Sequence, residues 1–156
     1  MAFDIFLKFD PVIDGGSMHS KFQKYIDVES FSWGVSNPAP NAKEDLPAAQ
    51  QDLHVSGRVD VQSPKLFEAS AKGTNFVSAE LLVVNAGENQ HIAYRLRLTD
   101  VRITSYQTGG SGGSDFFESY SLAYRVLDNV FQTQKADGTL GPAITGSHDF
   151  GPPQKL

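Results

Sequence analysis

The strand pattern that decides the fold lies at residues 90–107, QHIAYRLRLTDVRITSYQ. Apolar side chains recur at every second position over residues 92–98, and a period of two is typical of a half-buried β-strand. The parity of the apolar side chains changes at Val101, so we expect a β-bulge near residues 99–100. Kinks of this kind let a sheet bend towards a barrel.

The same period recurs along most of the chain. Residues 3–9 alternate in this way. Phe6 and Phe117 are apolar on otherwise polar faces, which indicates either a protein contact or extra core packing. A change of parity after Val28 predicts a second bulge near residues 29–30. The other predicted elements are strands at 53–61, 76–85, 116–126 and 147–150, and turns at 86–89 and 137–138.

One helix is predicted, at residues 63–73. Ser63 suits the N-cap, Pro64 suits the first turn, and Gly73 suits the left-handed position after the last turn. The apolar side chains of this segment, which include Phe67, form a narrow stripe that can pack on a sheet. The residues therefore predict a mainly β fold with one short helix.

The composition limits the classes of function. A chain of 156 residues allows one domain. Its 13 basic and 18 acidic side chains give a net charge of −5, which disfavours nucleic acid and anionic membranes as partners. Because the chain has no cysteine, a disulfide framework, a thiolate nucleophile and a cysteine-based metal site are excluded.

Neither a signal peptide nor membrane insertion is expected. Asp4 interrupts the N-terminal segment where a signal peptide needs a basic patch followed by an unbroken apolar run. The longest apolar run, residues 81–84, is far shorter than the ~20 residues that cross a bilayer. We therefore expect a protein that is made in the cytoplasm.

Matches to catalytic motifs are weak. Residues 109–113, GGSGG, fit the pattern G-x-S-x-G, which in α/β-hydrolases would make Ser111 the nucleophile. The glycines supply flexibility where a nucleophile needs rigidity, and the following segment predicts a strand where the motif needs a helix. No lysine lies nearby to complete a phosphate-binding loop. The four histidines are scattered, so no metal ion and no cofactor are expected.

Two segments predict loops that project from the domain. Residues 36–51, SNPAPNAKEDLPAAQQ, contain three prolines and few side chains that could enter a core. Residues 108–114 are rich in glycine. Loops as long as the first are usually functional or disordered. The last segment, residues 151–156, is expected to be a flexible tail.

The arginines of residues 90–107 allow two interpretations. Arg95 and Arg97 share the polar face of the predicted strand with His91. In a monomer they would form the solvated side of a sheet. If the subunit were repeated around an axis, the same arginines could line a channel as a charged band.

Short segments spread over most of the chain occur in a distinctive order and spacing. They are MAFDIFLK at 1–8, IDV at 26–28 with FSWG at 31–34, SPKL at 63–66 ending near KG at 72–73, GENQ at 87–90, LTDV at 98–101 leading to Ser105, TGGSGG at 108–113 with Glu118, and QKADG at 134–138. Together they resemble the Hcp family, the haemolysin-coregulated proteins of bacterial type VI secretion systems.

This resemblance implies a β-barrel of two packed antiparallel sheets with one short α-helix at its side. It also implies a hexameric ring with an open lumen, and rings that stack into the inner tube of a contractile injector. The implied partners are other copies of the chain, the sheath, spike and baseplate proteins, and small effectors carried in the lumen. The rings themselves are exported with the effectors.

The implied tube suggests roles for individual residues. Ser32 is the first choice for the lumen because it lies on the strand face opposite Phe31 and Trp33, and Arg95 and Arg97 are further choices. Ring stacking needs contacts that form and release, for which projecting loops are suited. The residues expected in stacking are Asn37, Pro38, Pro40, Lys43, Glu44, Asp45, Gly110, Ser111 and Gly112.

Two other functions stay open at this point. A monomeric β-barrel that binds a carbohydrate or a lipid would use the aromatic side chains, 11% of the chain, around a deep apolar pocket. A serine hydrolase would depend on Ser111, and Ser111→Ala would then abolish turnover of an activated ester. Detection of a ring of subunits in solution would favour the tube assembly over both of these functions.

Overall fold

The structure is a computed structural model that describes residues 2–37, 48–86 and 90–151. In chain order its elements are β1 Phe3–Asp10, β2 Ile26–Val28, β3 Ser30–Ser32, β4 Val35–Ser36, β5 Ala49–Gln50, β6 Leu53–Arg58, α1 Ser63–Lys72, β7 Asn75–Asn85, β8 Ile92–Gly109, β9 Phe117–Ala123, β10 Val126–Gln134 and β11 Leu140–Asp149. The prediction of a mainly β fold with one short helix is confirmed.

Nine strands form one antiparallel sheet, in the order β2-β1-β7-β8-β9-β6-β3, with the β10–β11 hairpin branching from β8. The two ends of this order, β2 and β3, are consecutive in the chain and flank Glu29. The Glu29 N–H donates a hydrogen bond to the Ser56 carbonyl of β6, at 2.8 Å. The segment around Glu29 therefore joins the two edge strands of the sheet, and the sheet curls on itself. Strand β2 pairs with β1 and β3 pairs with β6, so the two edge strands do not form a ladder with each other.

Strand β8 belongs to both halves of this curled sheet. One edge pairs with β7, while the other pairs with β10 through residues 94–99 and with β9 through residues 102–109. Asp100, between these parts, has a φ of 63°, and the buried side chains change parity from Leu98 to Val101. The irregularity predicted at residues 99–100 is thus present, and it divides the fold into two packed layers.

The core fills the space between these layers, and side chains from both contribute to it. Each fully buried leucine stabilises the fold by ~1.5–3 kcal/mol relative to an exposed one. The largest fully buried apolar side chains are Phe9, Leu7, Ile26, Leu53, Leu66, Leu81, Leu96, Leu98 and Leu122.

A second apolar cluster lies on the opposite face of β1 and β7. Phe6 is 2% exposed and packs there with Leu82 and Val84. Phe22 and Tyr25, from the segment between β1 and β2, cover it, and the Phe6 and Phe22 ring centroids are 4.9 Å apart. Core packing is therefore the correct interpretation of Phe6.

Helix α1 has the predicted bounds but a different start. Pro64 lies in the first turn, and Gly73 follows the helix with a φ of 65°. The prediction that Ser63 caps the helix is wrong, because the Ser63 hydroxyl donates instead to Oε1 of Glu118, at 2.5 Å. Phe67 does not join a buried stripe, since it is 61% exposed.

The predicted loop at residues 36–51 has an ordered base. Val35 pairs with Gln50 and Ser36 pairs with Ala49, which forms the two-stranded sheet of β4 and β5. The prediction that residue 36 and residues 49–50 belong to a loop is therefore wrong. Residues 38–47 lie outside the described residues, as does the predicted tail from residue 152 onwards.

The C-terminal strand differs most from its prediction. Strand β11 begins at Leu140, well before the short strand predicted at 147–150. The turn predicted at 137–138 is confirmed, since Gly138 has a φ of 89° and its N–H donates to the Lys135 carbonyl at 2.9 Å. A long hairpin therefore follows the barrel, where only a short strand was expected.

Candidate functional site

One outer face of the sheet is covered with hydroxyl groups. It is formed by β3, β6, β9 and the second half of β8, and its polar residues lie in two rows across these strands. The rows are Ser32, His54, Ser121 and Ser105, and Ser30, Ser56, Ser119 and Gln107. Strand alternation points them away from the core, although Ser121 itself is buried among its neighbours. We call this surface the serine face.

Most hydroxyls of the serine face hydrogen-bond to one another. The pairs are Ser30 with Ser56, Ser105 with Ser121 at 2.6 Å, and Gln107 with Ser119 at 3.0 Å. They border an open cleft of about 230 Å³. These groups already have hydrogen-bond partners. Replacing one of those bonds with a bond to another molecule would therefore change the free energy of binding little.

The residues predicted to line a lumen do not meet within one copy of the chain. Ser32 lies exposed on β3, at the margin of the serine face, where it pairs with His54. Arg95 and Arg97 lie in the other half of the fold, on the part of β8 that pairs with β7 and β10.

Arg97 belongs to a row of alternating charges across four strands. It is in register with Glu80 of β7 on one side and Asp128 of β10 on the other, and Glu80 is in register with Lys8 of β1. Opposite charges on neighbouring strands contribute roughly 0.2–1 kcal/mol per pair to sheet stability. Arg95, in the next outward position, has a buried Nε without a hydrogen-bond partner among the described residues.

The β10–β11 hairpin, which we call the wing, extends beyond the core. Strand β11 is exposed along nearly its whole length, and within the described chain only β10 pairs with it. Phe131 and Ile144 lie opposite each other on the wing and are 47% and 63% exposed, and Tyr94 continues this apolar row on β8. A free strand edge beside an exposed apolar row is suited to contact with another chain.

Sequence reasoning missed the wing. Gly141, Pro142 and Gly146 interrupt the alternation of β11, and glycine and proline are both unfavourable inside a strand. The signal that could have found it is the turn at 137–138, because a tight turn after one strand predicts a second strand of similar length.

The two loops predicted to stack rings lie at opposite ends of the sheet. In the ladder of β6 and β9, Leu53 pairs with Leu122 and Arg58 pairs with Phe117. The segment at 36–51 joins β6 at its Leu53 end, whereas the glycine-rich segment at 108–114 precedes β9, which begins at Phe117. The prediction that residues 108 and 109 belong to this loop is wrong, because β8 extends to Gly109. Of the predicted stacking residues, Asn37, Gly110, Ser111 and Gly112 are exposed, and Pro38, Pro40, Lys43, Glu44 and Asp45 lie outside the described residues.

Ser111 has the surroundings of a loop serine. Its Oγ is 2.8 Å from Oγ of Ser114, and both residues are exposed. Neither hydroxyl can act as a general base towards the other, so this pair lacks the activation that a nucleophilic serine requires.

A buried carboxylate anchors the helix to the barrel. Glu118 is 0% exposed. It accepts hydrogen bonds from the Ser63 hydroxyl at 2.5 Å, the Tyr106 hydroxyl at 2.9 Å and Nε2 of Gln62 at 2.7 Å. Burial raises the pKa of Tyr106 to about 12, and burial together with the charge of Glu118 raises the pKa of Tyr120 well above 10.

Two further searches of the described residues gave no site. Residues 2–37, 48–86 and 90–151 contain no group of three or more His, Asp or Glu side chains arranged to hold a metal ion. No helix within those residues has the length and hydropathy needed to cross a membrane.

The family model described as "Type VI secretion system effector, Hcp" matches residues 6–129. The chain belongs to the Hcp family. This Hcp chain is 33% identical to "Protein hcp1" of Pseudomonas aeruginosa over 144 residues, which cover 88% of either protein. The resemblance stated from the sequence is confirmed, and the chain is a tube or effector protein of the type VI secretion system.

Solved structures of Hcp proteins share the fold. The structure described as a type six secretion system protein superposes with a TM-score of 0.84 at 30% identity, covering 94% of this chain and 93% of the other. Hcp1 from Salmonella typhimurium superposes with a TM-score of 0.81 at 27% identity, covering 96% of both. The predicted architecture of packed antiparallel sheets with one helix is confirmed for an Hcp chain.

Proposed function

We propose that this chain forms hexameric rings, that the rings stack into the inner tube of a type VI secretion system, and that they carry small effectors out of the cell. Its partners are other copies of itself, the sheath, spike and baseplate proteins, and the effectors. The protein is made in the bacterial cytoplasm and leaves through the system without a signal peptide. It acts through its shape, without a catalytic centre or a cofactor.

The wing is the observation that carries this proposal. An edge strand of ten residues with an apolar row beside it is unfavourable in water and invites unwanted pairing. In a ring, one surface of each subunit meets a different surface of its neighbour, and the rotation closes. Contact with a neighbour would cover Phe131 and Ile144 and satisfy the free edge of β11.

The serine face supports the carrier role. A lumen must admit cargo and release it, so its wall should offer many weak contacts and few strong ones. The mutually bonded hydroxyls around Ser32 meet this requirement. We assign Ser32 to the lumen, with Arg95 and Arg97 as further lumen residues.

A ligand-binding monomer has less support. Such a protein would need a deep apolar pocket within one subunit. The space between the two layers is instead filled by buried side chains, most of them from β1, β6, β7, β8 and β9. The aromatic side chains that suggested a pocket, such as Phe9 and Phe76, pack on each other with ring centroids 4.8 Å apart.

Native mass spectrometry and negative-stain microscopy of the purified protein test the proposal. We expect hexameric rings from the unmodified chain. Ile144→Asp, which places a charge in the apolar row, should give monomers with an unchanged circular dichroism spectrum. Thr145→Asp adds the same charge at the next residue, on the other face of β11, and is the matched control. A chain that stays monomeric at high concentration would contradict the proposal.

A further inference from the structure

A cleft with several acidic side chains lies where the segment joining β2 and β3 meets the start of α1. Its volume is about 340 Å³. The residues that line it are Asp27, Val28, Glu29, Arg58, Asp60 and Gln62. We call it the acidic cleft. None of these residues belongs to the serine face or to the wing, so the cleft is a separate feature of the surface.

One buried polar atom at this cleft has no partner. Gln62 is 1% exposed, and its Nε2 donates to Oε2 of Glu118 at 2.7 Å and to the Arg58 carbonyl at 3.3 Å. Its Oε1 is buried without a hydrogen-bond donor among the described residues. A buried acceptor in this condition destabilises a fold unless a donor reaches it. Because Nε2 is engaged, Oε1 is the amide atom left for a molecule in the cleft.

The one basic side chain of the acidic cleft already has acidic partners. Nε of Arg58 is 3.4 Å from Oε1 of Glu29, and its Nη2 is 3.1 Å from Oδ2 of Asp115. Asp27 and Asp60, in contrast, form no salt bridge within residues 2–37, 48–86 and 90–151. Two carboxylates of the cleft therefore lack a cationic partner in this part of the chain.

The charges around Asp27 leave the acidic cleft negative. Burial raises the pKa of Asp27, and the charges of Asp60 and Asp4 raise it further, whereas the charge of His19 lowers it. Carboxylates that repel each other in this way are stabilised by a cation placed between them. The cleft therefore favours a cationic ligand over a neutral or anionic one.

Asp60 is held in place before any ligand binds. Its N–H donates to the Ser63 hydroxyl at 3.0 Å, and its carbonyl accepts from the Ser63 N–H at 3.0 Å. The Val61 N–H donates to Oδ1 of Asp60 at 2.7 Å. A Cβ atom on Gly16 would overlap the Asp60 carboxylate, so the absence of a side chain at Gly16 leaves the space that Asp60 occupies. A ligand would therefore meet a carboxylate that is already ordered, which lowers the entropic cost of binding.

The set of acceptors matches a primary ammonium group. An ammonium carries three N–H donors and no acceptor, and the cleft offers two carboxylates and the unpaired Gln62 Oε1. Val28, which is 8% exposed, offers an apolar contact to the carbon atoms that carry the ammonium. A metal ion fits less well, since the described chain holds no group of three His, Asp or Glu side chains arranged to ligate one.

We propose that the acidic cleft binds a primary ammonium group through the carboxylates of Asp27 and Asp60 and through Oε1 of Gln62. Two sources carry this group on a short aliphatic chain, a free polyamine and a lysine side chain of another protein. The same three acceptors would recognise either source. The inference goes beyond the proposed tube and does not depend on ring formation.

Saturation-transfer NMR with the purified protein tests the site, because the method detects weak ligands of large proteins and assemblies. The probe is n-butylamine at neutral pH, where an alkyl amine is an ammonium ion. We expect it to bind. n-Butyltrimethylammonium has the same charge but no N–H donor, so it should bind at least tenfold more weakly.

Two single variants locate the site. Asp27→Asn and Asp60→Asn keep the size of the side chain but remove its charge, and each should weaken the binding of n-butylamine at least tenfold. Glu68→Gln is the matched control, because it removes one negative charge from an exposed position on α1 where Lys72 is the partner. It should bind n-butylamine as the unmodified chain does. Circular dichroism of each variant verifies that it is folded.

The two sources are distinguished by a second pair of ligands, 1,4-diaminobutane and the peptide Gly-Lys-Gly with blocked ends. Tighter binding of the diamine would support a free polyamine, and tighter binding of the peptide would support a protein partner. Absence of n-butylamine binding, equal binding of n-butyltrimethylammonium, or an equal loss in Glu68→Gln would overturn the inference. None of these measurements reads out ring formation, so such a failure leaves the proposed function in place.

Discussion

At the scale of single residues, Glu118 is the most consequential polar group of the fold. It is a fully buried carboxylate that accepts three hydrogen bonds, two of them from residues at the start of α1. No cation accompanies it among these contacts, so its stabilisation comes from the donors. Glu118 thus explains why Ser63 does not cap the helix, since its hydroxyl is engaged with the carboxylate.

Replacement of Glu118 should be strongly destabilising. Glu118→Ala leaves the buried Ser63 hydroxyl and the half-buried Tyr106 hydroxyl without this acceptor, and it leaves the Gln62 amide with only the Arg58 carbonyl at 3.3 Å. We expect the free energy of unfolding to fall by about 2–5 kcal/mol. Chemical denaturation followed by circular dichroism measures this. Glu68→Ala removes an exposed carboxylate whose Oε1 is 2.8 Å from Nζ of Lys72, and it should leave the denaturation midpoint unchanged. Equal losses in both variants would refute the anchoring role.

Two tyrosines should make the protein sensitive to alkali. Burial raises the pKa of Tyr106 and of Tyr124 to about 12, from 10. Between these values the unfolded chain loses protons that the folded chain keeps, so the free energy of unfolding should fall as the pH rises from about 10 to about 12. Urea denaturation at stepped pH measures the slope. In the Tyr106→Phe and Tyr124→Phe double variant the slope should be shallower but should not vanish, because buried Tyr120, whose pKa is also raised, remains.

At the scale of elements, the glycines around the loop differ in what they require. Gly113 has a φ of 87°, which few other residues adopt, whereas Gly109 and Gly110 are needed for the space that Phe116 and Phe117 occupy. The motif GGSGG therefore combines a backbone requirement with a packing requirement. Sequence alone showed only flexibility here, because the contact partners lie on the next strand.

The packing requirement can be tested one glycine at a time. Gly110→Ala places a methyl group 2.8 Å from Cβ of Phe116, and we expect it to lower the free energy of unfolding by about 1–3 kcal/mol or to displace Phe116. Gly112→Ala has nothing within 4 Å of its new methyl group and serves as the control. Thermal unfolding of both variants distinguishes them, and a Gly110→Ala variant as stable as the control would contradict the packing.

Strand alternation was sufficient to predict most elements. It located β1, the β7–β8 hairpin and the parity change at Asp100, because in each case the buried face is continuous and apolar. It failed at β10, which lies beyond the strand predicted at 116–126, and over the first part of β11, where exposure leaves no apolar period to detect. Local rules also failed at Ser63, since a capping preference is weaker than a hydrogen bond to a buried carboxylate.

At the scale of the whole molecule, the surfaces proposed for assembly lie on different parts of the sheet. The wing branches from β8, the serine face covers β3, β6, β9 and the second half of β8, and the Leu53 and Arg58 ends of β6 lie at opposite ends of its ladder with β9. The family could be predicted from the sequence. Which strands lie next to one another could not, because that depends on the order of strands in the sheet. Ser32 lies on β3, which pairs with β6, whereas Arg97 lies on the part of β8 that pairs with β7 and β10.

Deletion of residues 37–48 should separate ring formation from stacking. The wing does not include this segment, so we expect rings of unchanged size by native mass spectrometry. Stacked tubes and secretion should be lost, as seen by electron microscopy and by assay of culture supernatants. Replacement of the segment by a glycine-serine linker of equal length controls for the shortened chain. If the rings themselves dissolved, the segment would belong to the lateral contact.

Strand β8 has a mechanical consequence for such a tube. Of its 18 residues, those at 92–102 pair with β7 on one edge, and on the other edge residues 94–99 pair with β10 and residues 102–109 pair with β9. A force along the strand therefore loads many hydrogen bonds in shear at once, and they must rupture together rather than one after another. During ejection, the loop contacts between rings would break before any subunit unfolds. The tube could therefore separate into intact pieces after delivery.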